Sequence, residues 1–129
     1  MKRETLVITT SQGKTEISTE IALTLAQQEL GLMFRTSIGD NEGMLFIYNK
    51  PQAITMWMHN TYLPLDMVFL NRDGTVSHIK ADAQPLSDNI ISSGGAASAV
   101  LELKAGTAQR IGLRTGDRIE TPSFQASAP

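Results

Sequence analysis

Thr5 to Ala22, TLVITTSQGKTEISTEIA, decides the class of fold. Thr5-Leu6-Val7-Ile8-Thr9-Thr10 is rich in β-branched residues and fits a strand. Ser11-Gln12-Gly13-Lys14 follows, with a glycine suited to the positive φ of a hairpin turn. In the return segment, Ile17, Thr19 and Ile21 fall on one face, and Glu16, Ser18 and Glu20 on the other. A period of two marks a half-buried strand with its even face toward solvent.

Outward from this hairpin the same signals recur. Thr24-Leu25-Ala26-Gln27 matches a capping box, so a short helix is expected to about Leu30, ended by Gly31. Leu32 to Arg35 leaves the helix, and Thr36 to Asn41, TSIGDN, reads as a loop. Met44 to Tyr48 is almost continuously apolar, as in a strand buried on both faces. Asn49 to Gln52, with Pro51, reads as a turn before a strand over Ala53 to Asn60. A bend at Tyr62-Leu63-Pro64 leads to the strand Leu65 to Leu70, and Asn71-Arg72-Asp73-Gly74 turns the chain into Thr75 to Lys80. Asp82 to Ala99, rich in small residues and broken by Pro85 and Gly94-Gly95, is expected to be a long irregular loop. Val100 to Leu103 is a strand, Thr107 to Ile111 one helical turn ended by Gly112, and Arg118 to Glu120 a last strand. Many short strands with one or two short helices predict a mainly β sandwich or partly closed barrel. A single domain over residues 1–122 is expected, followed by a frayed tail at 123–129.

The 129 residues, 41% hydrophobic and 19% charged, suffice to bury one core without metal or disulfide staples. No apolar run is long enough to span a bilayer. Formal charge is -2 and the basic residues are scattered, so no nucleic-acid partner is expected. The absence of cysteine excludes disulfides, thiolate metal sites and cysteine nucleophiles, but leaves the compartment open. Residues 1–10, MKRETLVITT, lack the apolar core of a secretory signal.

Chemistry concentrates in Met56 to Asp66, MWMHNTYLPLD, which holds the only tryptophan. Alternation separates Ile54, Met56, Met58 and Asn60 from Thr55, Trp57, His59 and Thr61. The methionine face is the better core candidate, which leaves Trp57 and His59 on a partly open platform. Asn60 and Thr61 serve a turn or a ligand equally well. Asp66 stands on an otherwise apolar strand, and must be exposed or paired; Arg35 and His59 are the partners expected first. Met33, Met44, Met56, Met58 and Met67 could offer soft ligands to Cu(I), but their apolar settings favour core packing. His59 with Asp66 could serve a hydrolase, although neither a Gly-x-Ser-x-Gly elbow nor a His-Glu-x-x-His helix is present. His78 reads as a structural strand histidine, and Ser92-Ser93-Gly94-Gly95 is a weak phosphate signal without a following helix.

Several ordered motifs carry a resemblance. They are Gly31-Leu32-Met33-Phe34-Arg35, Gly43-Met44-Leu45-Phe46, Trp57-Met58-His59-Asn60-Thr61 with Pro64-Leu65-Asp66, and Leu101 to Gly106 with Gly112 and Gly116-Asp117. From about Ile17 to Ile119 the chain resembles the domain-of-unknown-function 192 family of small bacterial and archaeal proteins. One departure is His59, where that family usually has lysine. The resemblance implies a compact β-rich fold of jelly-roll type, often behind an export signal or lipoprotein anchor, hence a periplasmic or extracellular setting. It transfers no activity. The leading expectation is a binding or accessory module whose face includes Arg35, Trp57, His59, Asn60 and Asp66, for a small polar or carbohydrate-like ligand. A His59–Asp66 hydrolase and a methionine Cu(I) site remain alternatives, and no cofactor or resident metal is expected.

Overall fold

The opening hairpin forms as its pattern predicts. β1 (Lys2–Thr10) and β2 (Gly13–Ala22) pair antiparallel in a computed structural model that describes residues 1–124. Ile17, Thr19 and Ile21 are buried, while Glu16 and Ser18 face solvent. The next strand, β3 (Glu42–Met56), lies parallel to β2, and parallel neighbours need a crossover. Helix α1 (Leu25–Leu30) and the segment after it supply that crossover. Its capping box is complete: Thr24 Oγ1 accepts from the Gln27 amide at 3.1 Å, and Gln27 Oε1 accepts from the Thr24 amide at 3.2 Å. Gly31 ends the helix at φ 49°.

Two expectations about irregular segments are corrected. Asn49 to Gln52 does not separate two strands; it belongs to β3, where pairing with β6 (Ile91–Lys104) skips from Ile47 to Gln52. The intervening residues bulge, a setting that tolerates a proline without an N–H. The segment Asp82 to Ala99 is mostly regular as well. β6 begins at Ile91 and takes its small residues into the middle of the sheet, because strand fitness depends on packing against neighbours more than on intrinsic preference. Gly94 and Gly95 absorb a second bulge: two steps of β3, Ala53 to Thr55, oppose four of β6, Ala96 back to Ser92.

β4 (Leu65–Leu70), β5 (Val76–Ala83), α2 (Thr107–Ile111) and β7 (Arg118–Glu120) complete the chain. All seven strands form one sheet in the order β5-β4-β6-β3-β2-β1-β7, in place of the two that a jelly-roll sandwich stacks. The sheet curls into a half-barrel whose edges meet at one end. There the Val76 amide donates to the Asp117 carbonyl, the Gly116 amide to Val76 and the Ile119 amide to Gly74, each at 2.8 Å. One apolar cluster, including Leu6, Ile8, Leu45, Leu101, Leu103 and Ile119, fills the curl. A second covers the opposite face of β3, β4 and β6, with Met44, Phe46, Met67, Phe69 and Val100. Phe124 joins the first cluster, so the start of the expected tail is packed; its remainder, 125–129, lies outside the described residues. Among the described residues no helix is long and apolar enough to cross a membrane.

Candidate functional site

Beyond Met56 the chain leaves β3, so Trp57 to Asn60 is a bend rather than the expected strand end. Trp57 and His59 nevertheless stay on one side of the chain, and their rings stack, with centroids 4.6 Å apart and planes 25° from parallel. Asn60 takes φ 52°, a conformation that asparagine tolerates better than most residues, and its carbonyl accepts from the Phe34 amide at 2.9 Å. The loop after β5 stitches onto this bend, since the Met58 amide donates to Ser87 and the Leu86 amide to Thr61, both at 3.0 Å. Asp88 on that loop lies 2.7 Å from His59 Nδ1.

Beside Trp57, α1 and β3 leave an open cleft of about 250 Å³. Its wall includes Leu25, Leu30, Leu32, Met33, Phe46 and Met56, with Gln28, Glu29, Tyr48, Thr55, Thr61 and Glu102 as polar groups. α1 buries none of its residues; Gln28 pins it to the sheet, its Nε2 donating to the carbonyls of Ala22 at 3.1 Å and Ile47 at 2.8 Å. Leu25 is 72% exposed and Leu30 is 49% exposed. Trp57, 47% exposed, stands at the same margin.

Glu102 belongs to the cleft by sheet geometry. It pairs with Met44 of β3 and Met67 of β4, and cross-strand partners share a face, so two buried thioethers flank it. It is 4% exposed, and no hydrogen bond reaches its carboxyl from any described residue. Burial pushes the carboxyl up from 4.5 to about 8, which keeps it neutral at pH 7. The same burial, with the nearby Glu102, raises the Tyr48 phenol above its ordinary value.

The other expected residues are placed elsewhere. Arg35 forms a two-point pair with Glu20, its Nη2 donating to Oε1 at 3.0 Å, in a separate depression with Arg3 and Glu42. The hydrogen bonds and charge of Arg35 draw the Glu20 carboxyl below its usual range. Asp66 is 1% exposed and pairs with neither Arg35 nor His59. Its Oδ1 accepts from the Asp82 amide at 2.9 Å, and its Oδ2 from the amides of Gly106 at 3.1 Å and Ala108 at 2.9 Å. It thus caps α2 from a distance and holds the chain reversal at Asp82. Met44, Met58 and Met67 lie in the second apolar cluster, and His78 stacks on Phe69 with centroids 5.7 Å apart. Glu102, Gln28 and Tyr48 were not singled out as binding residues from sequence.

Residues 7–121 match the family described as DUF192, uncharacterized ACR. No curated protein gives a significant match. A crystal structure of a protein from Sinorhizobium meliloti 1021, described as a candidate transcription regulator, is 41% identical with a TM-score of 0.91, over 93% of this chain and 94% of that one. A protein of unknown function from Novosphingobium aromaticivorans DSM 12444 is also 41% identical, with a TM-score of 0.87, over 90% of this chain and 83% of that one.

Proposed function

The chain belongs to the DUF192 family, and from the geometry of its cleft we propose that it is a small-molecule binding module. The observation that carries this reading is Glu102, a carboxyl at the cleft that is 4% exposed and receives no described donor. Its oxygens keep access to the open cleft, so a ligand that donates to them there replaces water at a group the protein itself leaves without a partner. The volume of about 250 Å³ is below the roughly 300–1,000 Å³ of sites for drug-sized ligands, so a metabolite-sized ligand fits. Its leucine, methionine and phenylalanine walls suit an apolar body with one polar head better than a carbohydrate. Trp57, stacked on His59, supplies the aromatic margin. Arg35 and Asp66, committed to Glu20 and to backbone amides, support the scaffold around this site.

A His59–Asp66 hydrolase draws no support from these placements, because Asp88 holds His59 and three amides hold Asp66. No nucleic-acid partner is proposed; the transcription-regulator description concerns the Sinorhizobium protein, and a formal charge of -2 offers phosphate no evident footing. NMR titration of the labelled protein with a set of small fragments tests the binding reading. Binders are expected to shift the amides of Gln28, Tyr48, Trp57, Thr61 and Glu102 together. Shifts gathered on another face, or none at all, would remove the cleft as the site.

A further inference from the structure

We infer that the cleft takes a small organic cation, an ammonium or guanidinium group on an apolar stem, with its charged head against Glu102 and its stem between α1 and Trp57. The inference rests on the cleft reading and adds the chemistry of the ligand. Glu102 and Asp66 are both nearly inaccessible carboxylates in β-strands, but three backbone amides satisfy Asp66 while no described group donates to Glu102. Among the described residues only Ser98 Oγ is a sealed side-chain atom without a partner, so the Glu102 oxygens keep access to the cleft they line, where a ligand can replace water as their donor.

The neighbouring polar groups point the same way. Gln28 spends its Nε2 on two carbonyls of the protein, which leaves Oε1 as its remaining group. Thr61 donates its hydroxyl to the His59 carbonyl at 3.1 Å, leaving oxygen lone pairs. These two groups present acceptors, and of the two other hydroxyls in the lining, Thr55 and Tyr48, the phenol already donates to Met56 Sδ at 3.9 Å. The cleft's titratable lining consists of Glu102, Glu29 on α1 and Tyr48 on β3, and no lysine, arginine or histidine contributes. An anion would find no cationic side chain in the lining; a cation meets acceptors and the aromatic rings of Phe46, Tyr48 and Trp57. The flanking strand residues Met44 and Met67 add no charge.

Binding is linked to a proton. The Glu102 carboxyl, raised by burial to about 8, is mostly neutral at pH 7, and an incoming cation favours its ionised form. Below pH 8 the ionised fraction falls about tenfold per pH unit, so cation affinity falls with it, while an alkylammonium itself stays charged. Close to one proton is expected to leave the protein per cation bound at pH 7.

The test uses hexylammonium, hexanol and hexanoate, followed by emission of Trp57, the only tryptophan of the chain, and by calorimetry in two buffers of different ionisation enthalpy. At pH 9 hexylammonium is expected to bind at least ~10-fold more tightly than hexanol and to exceed hexanoate further, with affinity dropping toward pH 6 and a proton released at pH 7. Glu102→Gln should abolish the cation preference and the pH slope. Equal binding of hexylammonium and hexanol at every pH, or a preference that survives in Glu102→Gln, overturns the inference. Proton release by the unaltered protein checks it without any variant. If hexanol or hexanoate binds the cleft without a cation preference, the cleft reading stands and the cation falls; if none of the three binds there, both readings lose.

Discussion

Asp66 and Glu102 separate the two things a buried carboxylate can do. Asp66 accepts three backbone N–H bonds, and its removal would orphan the start of α2 and the reversal at Asp82. Asp66→Asn keeps the size but turns one oxygen into a donor facing donors, so a loss of about 1–3 kcal/mol is expected in urea unfolding. A change below the error of the measurement would mean that water satisfies those amides equally well. Glu102 has the opposite consequence. Its carboxyl loses the proton near pH 4.5 when unfolded but only near 8 when folded. The unfolded chain therefore binds fewer protons between those values, and stability falls as pH rises, by about 1 kcal/mol per unit. Glu102→Gln is expected to match the parent near pH 4.5, to exceed it at pH 8, and to flatten that limb of the curve. An unchanged slope would show the carboxyl to be better solvated than its burial implies. In sequence, Leu101-Glu102-Leu103 bears the same mark as Leu65-Asp66-Met67, an acid inside an apolar run. Such a run announces a buried carboxylate, but its partners come from other strands and loops; hence the pattern could not tell the capped acid from the unpaired one. That Trp57 and His59 lie side by side follows the spacing of two read in sequence, but their stacking depends on the bend after β3, which alternation did not announce.

Elements that declare themselves by local chemistry were legible, and those fixed by distant neighbours were not. The β1–β2 hairpin needs only alternation and a turn glycine, and α1 only its capping residues. Within β6 only Val100 to Leu103 gave such a signal; Ser92 to Ala99 becomes a strand by lying between β3 and β4, with Ser93 Oγ accepting the Ile54 amide at 3.0 Å across a bulge. The cleft depends on both kinds, for β6 brings Glu102 and α1 forms the opposite wall. With no buried residue, α1 depends on its cap and on Gln28. Thr24→Ala leaves the Gln27 amide without its acceptor, and a local destabilisation of about 1 kcal/mol is expected. Hydrogen exchange should quicken at the α1 amides by roughly 5-fold, with strands β3 and β6 unchanged. Uniform quickening across the sheet would tie α1 to the global fold instead. Weaker fragment binding in the same variant would follow if α1 forms the wall that the cleft reading requires.

At the scale of the molecule, two devices hold the curled sheet together, and neither is a pattern within one segment. Near the chain ends, Glu4 on β1 accepts hydrogen bonds from Thr121 and Ser123 and an ion pair from Lys2. Burial would raise its carboxyl, but those bonds outweigh it and hold it at about 2, below the ordinary 4.5. Its contribution is present above 4.5 and disappears as pH falls toward 2, so Glu4→Gln should flatten the acid limb of stability while Glu102→Gln flattens the other. An acid limb of unchanged slope in Glu4→Gln would release the chain end from any part in acid unfolding. The second device is the seam between the sheet's edges. Gly74 sits there at φ 89°, and a Cβ in its place would lie 2.5 Å from the Ile119 carbonyl oxygen. Alanine there meets two costs: a left-handed conformation worth about 1–2 kcal/mol, and a backbone clash relieved only by parting the seam. Gly94 offers the comparison, since at φ 75° it has nothing within 4 Å of a Cβ. Gly94→Ala should therefore show the conformational cost alone, and Gly74→Ala should exceed it by about 1 kcal/mol or more in denaturant unfolding, with faster exchange at the amides of Val76, Gly116 and Ile119. If the two variants lose the same stability and those amides stay protected, the meeting of the edges adds nothing to the closure, and the curl rests on the apolar cluster inside it.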